Sequence, residues 1–271
     1  MESHGVGASP QGVRVLPGHW RPHYPYEHIV WISPPWVSQD YVWLDFPEAV
    51  FTERGLWYLS HVNPSFPKVH DDPPAVEWQM EHDGIAYQRS FPDGVVLRGW
   101  AGVVSERAVG LRLTLGNGSN QPLTRITLQT CLFLRAAAEF NRLTLDNKVV
   151  RVPGRGWLPF GLATMAERAE GSYRLGWRGG RPLAELPIIA CLSSEAPRLV
   201  AMTWHRDTLS LVGNPNHPCL HADPCFPDLA PGQEATIHGH VFFHEGDLQS
   251  FDVERPWEAL APEGGRQASS R

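Results

Sequence analysis

The chain has 271 residues, of which 42% are hydrophobic, and 23 Lys and Arg against 29 Asp and Glu give a net charge of −6. The length suits one large all-β domain, and an acidic chain without a basic stripe disfavours nucleic acid as a partner. No apolar run approaches the roughly 18 residues of a membrane span, and the first residues lack the basic and apolar regions of a secretory signal. We therefore expect a cytoplasmic protein with no membrane partner.

Runs of strand length, rich in Val and aromatic residues, follow one another along the chain. We predict strands at 28–32, 41–46, 56–60, 76–82, 85–91, 95–104, 108–115, 125–134, 171–177, 199–204, 208–212 and 235–244. Short helical segments are expected at 162–169 and, as a closing turn, at 246–251. Residues 1–25 and 256–271 are rich in Gly, Pro and Ser and are expected to be disordered tails, which leaves 26–255 as a single domain.

Turn residues indicate how these strands pair. Asp83-Gly84 and Asp93-Gly94 each lie between two alternating runs, where tight hairpin turns need a positive φ. No strand and helix alternation typical of a parallel sheet is present. We predict a large antiparallel two-sheet β-sandwich with few short helices.

Histidines are concentrated between residues 214 and 246, which hold five of the thirteen. On the predicted strand 235–244, alternation places His238, His240 and His244 on one polar face and turns the apolar side chains inward. The His238-Gly239-His240 spacing would let both imidazoles reach one divalent transition metal. A third ligand would come from His205 or from His221 with Asp223. The alternative is that these histidines decorate a solvated face.

Two proline-rich loops are further candidates for chemistry. Residues 217–224, stiffened by prolines, hold His221 and Asp223, a pair that could act as general acid and base. His205 and His61 are the other candidate catalytic residues. A loop after residue 60 holds His61, Asn63 and His70, which suit a sugar-binding edge. Either loop could instead only connect or cover the sheets.

Aromatic and charged side chains supply candidate substrate contacts. Trp36, near Asp40, and Trp177, beside Arg178, are predicted platforms for a pyranose ring, although core packing is the alternative for any Trp. Lys148 and Arg178 could bind the carboxylate of a uronate, or be solvated surface charges. The four cysteines show no CxxC spacing and are expected to be buried thiols, with a thiolate ligand at Cys219 or Cys225 as the alternative.

The pattern of residues 75–245, and above all LRLTLGNGSNQPLTRITLQTCL, resembles the repeated hairpins of galactose-mutarotase-like super-sandwich domains. This resemblance implies a carbohydrate ligand without assigning a catalytic residue, because such domains occur in sugar epimerases, polysaccharide lyases and non-catalytic modules. The chain is also similar to bacterial proteins that share a CxHxDPxFxxLxPG phrase, matched here by Cys219, His221, Asp223, Pro224, Phe226, Leu229, Pro231 and Gly232.

No phosphate loop, dinucleotide fingerprint or nucleophile elbow occurs, which argues against kinases, dehydrogenases and α/β-hydrolases. The leading hypothesis is a carbohydrate-active enzyme, an isomerase, epimerase or lyase that uses His acid/base chemistry, which a metal at His238 and His240 would assist. The alternative is a non-catalytic carbohydrate-binding or assembly module. A cupin-type dioxygenase is less favoured, because too little chain follows His240 for its later ligands.

Overall fold

The computed structural model describes residues 12–18, 28–60, 69, 77–165, 171–177 and 182–262. Within these residues, alternating apolar side chains form strands and the few remaining segments form short helices. The strands are β1 (Val15–Gly18), β2 (Ile29–Ile32), β3 (Val42–Thr52), β4 (Gly55–Leu59), β5 (Gln79–Met80), β6 (Ile85–Ser90), β7 (Val95–Ser105), β8 (Ala108–Asn117), β9 (Thr127–Phe133), β10 (Lys148–Val152), β11 (Gly156–Pro159), β12 (Tyr173–Leu175), β13 (Pro182–Ala184), β14 (Ile188–Leu192), β15 (Arg198–Thr203), β16 (Thr208–Gly213), β17 (Cys219–Pro224) and β18 (Glu234–Glu245). The α-helices are α1 (Phe160–Met165), α2 (Leu248–Glu254) and α3 (Pro256–Ala259), and single 3-10 turns lie at Ala138–Phe140 and His205–Asp207. No described helix has the length and apolar character needed to cross a membrane.

The described strands form two sheets. The first sheet has the order β1-β2-β3-β9-β17-β16-β12-β13, with β4 also paired to β3. The second has the order β11-β10-β14-β15-β18-β8-β7-β6-β5. Neighbouring strands are antiparallel apart from the parallel pair β12 and β16. The predicted all-β antiparallel sandwich is confirmed.

The main hydrophobic core lies between the two sheets. On β7, Val95, Leu97 and Ala101 alternate with more exposed residues and enter this core. On β17, Leu220 and Ala222 enter the same core from the opposite sheet. The intervening side chains of β17 therefore lie on the outer face of the first sheet.

A smaller core covers the outer face of the second sheet. Phe251 of α2 and Trp257 of α3 pack there with Phe242 of β18. His244 is only 1% exposed beneath α2, and its Nε2 lies 2.8 Å from Ser250 Oγ. The prediction of an open polar face was therefore wrong at His244, because the helices that follow β18 cover it.

The two predicted hairpin turns require glycine for different physical reasons. Gly94 has the expected positive φ, +88°, and the turn between β6 and β7 is confirmed. Gly84 has no positive φ, but a Cβ there would lie 2.3 Å from the carbonyl oxygen of Ala101. Glycine is needed at this turn because backbone from β7 approaches closely.

Several element boundaries differ from the prediction. Val15–Gly18 form β1 and Pro256–Ala259 form α3, although both were expected within disordered tails. The closing turn is the helix α2, and α1 begins two residues earlier than expected. Strands β10, β11, β13, β14 and β17 were not predicted. The segment expected as a loop is β17, because its prolines lie at its borders, where the ladder does not need their missing amide hydrogen.

Candidate functional site

A polar row lies on the outer face of the first sheet, along β17. Because Leu220 and Ala222 point into the core, Cys219, His221 and Asp223 emerge together on the other side. All three are nevertheless buried, with His221 only 3% exposed. In the regular pairing between β17 and β9, the β17 residues are Cys219 and Leu220. Beyond it, Asp223 bridges the two strands by accepting a hydrogen bond from the Thr130 amide at 3.0 Å.

Neighbouring strands add a thiol and a carboxylate to this row. Cys131 of β9 pairs in register with Asp45 of β3 and shares the outer face. The register between β3 and β9 shifts after Asp45, and Glu48 lies in that irregular stretch. Its Oε2 accepts a hydrogen bond from Gln129 at 2.7 Å. We call the set the β17 cluster; its members are Glu48, Cys131, Cys219, His221 and Asp223.

The His221 ring lies between thiols on one side and carboxylates on the other. Its Nε2 lies 3.3 Å from Cys219 Sγ. Its Nδ1 lies 3.8 Å from Asp223 Oδ1 and 4.0 Å from Glu48 Oε2. No hydrogen bond to Nδ1 is formed by any residue that the structure describes. The two ring nitrogens therefore face chemically different groups.

The electrostatics of the β17 cluster favour an ion pair. Hydrogen bonding to Cys131, together with the nearby His221 charge, lowers the pKa of Cys219, although burial opposes this. Burial alone would lower the pKa of His221, but the Cys219 thiolate and the two carboxylates outweigh it and raise that pKa to about 10. Burial raises the pKa of Asp223 to about 7, with the His221 charge opposing the shift. These shifts favour a thiolate at Cys219 beside a protonated His221.

Aromatic rings border the β17 cluster. The Trp177 ring meets the His221 ring edge to face, with centroids 4.6 Å apart, and is 44% exposed. On the other side, His217 stacks on Phe133 with centroids 4.4 Å apart. An exposed indole beside buried polar groups can stack against the C–H face of a sugar ring. Of the predicted site residues, the structure brings His221, Asp223 and Trp177 together.

Two of the predicted metal ligands, His205 and His240, form a separate pair. His240 Nδ1 lies 2.7 Å from Nε2 of His205, which follows β15. Burial lowers the pKa of His205 to about 4 and that of His240 to about 3. His238 is partly exposed on the same strand. Within the described residues, these histidines are not part of a three-ligand group compact enough for one ion, so a metal at His238 and His240 stays a prediction.

Three predicted substrate contacts have structural roles. Trp36 is 5% exposed, and its Nε1 donates to Glu139 Oε1 at 2.8 Å, so it is a core residue rather than an open platform. Asp40 Oδ2 accepts from the Ala138 amide at 2.9 Å. Lys148 is fully buried, and its Nζ donates hydrogen bonds to carbonyl oxygens of the preceding loop. It therefore cannot meet a substrate carboxylate. Tertiary packing, which the sequence pattern did not reveal, explains the corrections at Trp36 and Lys148, whereas a substrate contact at the half-buried Asp40 stays a prediction.

The other predicted contacts, His61, Asn63, His70 and Arg178, lie outside the described residues. Sequence reasoning missed Glu48 and Cys131 as site residues. The alternation of Cys219, His221 and Asp223 would have indicated a shared face if the segment had been recognised as a strand. No local signal indicates Glu48 or Cys131, because each reaches the site through pairing between distant segments.

No family model and no curated protein matches the chain. Its fold is similar to that of solved structures. A candidate kojibiose phosphorylase from the human microbiome is 10% identical with a TM-score of 0.39, over 83% of this chain but only 27% of that protein. A galactose mutarotase related enzyme from Lactobacillus acidophilus is also 10% identical, with a TM-score of 0.39, over 87% of this chain and 98% of that protein. A candidate aldose 1-epimerase from Klebsiella pneumoniae is 12% identical with a TM-score of 0.39, over 83% of this chain and 68% of that protein.

The second and third of these structures are described as a galactose mutarotase related enzyme and a candidate aldose 1-epimerase. Likeness at this distance gives no information on substrate or reaction. The chain spans about a quarter of the length of the phosphorylase, 27%. Any activity of this chain therefore has to be argued from the β17 cluster itself.

Proposed function

We propose that the protein is a carbohydrate-active enzyme that transfers a proton on a sugar or uronate, as an isomerase, epimerase or lyase. The observation that carries the proposal is the buried His221 ring between the Cys219 thiolate and the carboxylates of Asp223 and Glu48. Removing a proton next to a carbonyl needs a base and a positive group that stabilises the charge developing on oxygen. The β17 cluster contains both.

The roles follow from charge and position. Asp223 and Glu48 are carboxylates that can accept and return a proton. The thiolate of Cys219, 3.3 Å from Nε2, favours the cationic form of His221, which can then stabilise an oxyanion. Burial strengthens these interactions because little water screens them.

The substrate class is inferred from Trp177 and from the sequence resemblance. A pyranose stacked on the exposed Trp177 ring would lie next to His221, since the two rings are in contact. Galactose-mutarotase-like domains imply a sugar ligand. A ketose, aldose or uronate also offers the carbonyl or anomeric centre that this chemistry needs.

The test is solvent deuterium exchange. Proton-transfer enzymes incorporate deuterium from D₂O at the reacting carbon, so the protein should label at least one member of a panel of aldoses, ketoses, uronates and oligouronides, followed by NMR. Loss of general acid/base catalysis should slow labelling about 100-fold or more in Asp223→Asn. Asp146→Asn, which changes an exposed carboxylate, is the matched control and should label at the wild-type rate.

The alternative is a non-catalytic carbohydrate-binding module, which the exposed Trp177 alone would support. In that case sugars bind and Trp177→Ala weakens binding, but no member of the panel exchanges. Asp223→Asn would then leave sugar affinity unchanged. That combination would exclude the enzyme and retain the binding function.

A further inference from the structure

We infer that Cys131, Cys219 and His221 form a binding site for a thiophilic divalent cation of the zinc class. The inference concerns the same side chains as the proposed function, but it does not depend on a sugar being the substrate. Their ligand atoms all lie within 4.8 Å of one another and all three residues are buried. It is also distinct from the metal predicted at His238 and His240.

The spacing suits one ion. Zinc binds sulfur at about 2.3 Å and imidazole nitrogen at about 2.0 to 2.1 Å, so tetrahedral ligand atoms lie roughly 3.5 to 3.8 Å apart. The distance from Cys219 Sγ to His221 Nε2 is 3.3 Å, close to that value. Small side-chain movements within the 4.8 Å group would complete the geometry.

The donor set indicates the kind of ion. Two thiolates and one imidazole select soft or borderline metals, whereas magnesium and calcium prefer oxygen ligands. Binding replaces the proton shared within the cysteine pair and the proton on Nε2, and two thiolates then neutralise a divalent cation. The charge of the buried site is therefore balanced with the ion present.

The orientation of the imidazole supplies an independent observation. When Nε2 binds a metal, Nδ1 carries the proton and typically donates it to a carboxylate, which fixes the ring. Nδ1 of His221 faces Asp223 Oδ1 at 3.8 Å and Glu48 Oε2 at 4.0 Å, and no described residue gives this buried nitrogen a hydrogen bond. A metal on the other side of the ring would explain why Nδ1 points to two carboxylates.

Three protein ligands leave a fourth position open, as in catalytic zinc sites. An ion there would polarise a substrate oxygen. It would replace the positive charge that His221 supplies in the metal-free protein. His221 would then be a ligand, and proton transfer would stay with Asp223 and Glu48. The inference thus changes how the β17 cluster works without changing which residues compose it.

The experiment uses the full chain, purified without a histidine tag, depleted of metal under reducing conditions and titrated with Co²⁺. One cobalt per chain with a thiolate-to-cobalt charge-transfer band is expected, and Zn²⁺ should displace it. Cys131→Ser and Cys219→Ser should abolish the band, whereas Asp223→Asn should weaken binding about 10- to 100-fold because it removes a partner of the ligating imidazole. Cys225→Ser is the matched control and should bind like the wild type, whereas His240→Gln distinguishes this site from the predicted one at His238 and His240.

A folded wild-type protein that shows no charge-transfer band at one equivalent would overturn the inference, even if a cysteine variant fails to fold. Loss of cobalt in His240→Gln, with Cys131→Ser unaffected, would overturn it in favour of the histidine pair. Deuterium exchange by the metal-free protein would retain the proposed function and reject the metal as its cofactor. Stoichiometric cobalt binding without exchange on any sugar would retain the metal site and reject the proposed function.

Discussion

Trp36 provides a direct test of whether its indole is a core element or a sugar platform. Its ring meets Phe243 edge to face, with centroids 5.7 Å apart, and Arg198 lies 4.6 Å above it. Its Nε1 donates to Glu139, a carboxylate that is only 7% exposed. Trp36→Phe keeps an aromatic ring but removes this donor and part of the packed volume.

The expected loss in the free energy of unfolding is about 2.5 to 4 kcal/mol. A hydrogen bond to a charged group contributes about 1.5 to 3 kcal/mol, and removing part of a buried side chain adds about 1 kcal/mol. Each kcal/mol lowers Tm by roughly 2 to 4 °C in a domain of this size, so Tm should fall by about 10 °C. Urea denaturation followed by far-ultraviolet circular dichroism gives the free energy, and a thermal scan gives Tm.

Trp177→Phe is the matched control, because that indole is 44% exposed and its replacement should change stability by no more than about 0.5 kcal/mol. Glu139→Gln keeps a neutral acceptor for Nε1, so a double-mutant cycle with Trp36→Phe measures how much of the coupling depends on the carboxylate charge. A Trp36→Phe variant as stable as the wild type would contradict a core role for this indole. Loss of sugar affinity in such a stable variant would restore the platform interpretation.

Two further predictions concern buried groups away from the β17 cluster. Because burial lowers the pKa of His205 to about 4 and of His240 to about 3, the unfolded chain takes up protons below pH 6.5 that the folded chain does not, so stability falls as pH falls. At pH 5 each histidine should lower the free energy of unfolding by about 2 kcal/mol, at about 1.4 kcal/mol per pH unit. The double variant, with both histidines changed to Gln, should therefore show a flatter profile of Tm against pH between pH 7.5 and 5. Parallel profiles for the variant and the wild type would contradict this. Lys148→Met leaves the carbonyls of Arg142 and Thr144 without their buried donor, and we expect a loss of about 3 kcal/mol in urea denaturation with sugar affinity unchanged. A stable Lys148→Met variant that binds uronates poorly would show that the lysine contacts substrate after all.

Local patterns predicted the strands whose partners are neighbours in sequence. The hairpins β5-β6 and β6-β7 followed from alternation and from the turns at Asp83-Gly84 and Asp93-Gly94, where one short segment contains the needed information. The strand β17 was not predicted, because Pro218 and Pro224 resemble loop residues until their position at the ends of a strand is known.

The candidate site was only half predictable for a related reason. His221 and Asp223 stand out by composition, whereas Cys131 and Glu48 reach them through the ladders of β9 with β17 and β3 with β9. Register between distant strands depends on the whole sheet and not on any local motif. Burial of Trp36 likewise depends on residues far along the chain.

The position of β18 between β8 and β15 constrains how the polypeptide can fold during synthesis. Every other strand of the second sheet leaves the ribosome before β18, so this sheet stays in two halves until Glu234–Glu245 emerge. During that interval β8 and β15 each present an unpaired edge, the surface most prone to pairing with other chains. Nascent chains halted before β18 would therefore depend on chaperones, although almost all of the final sheet has already been translated.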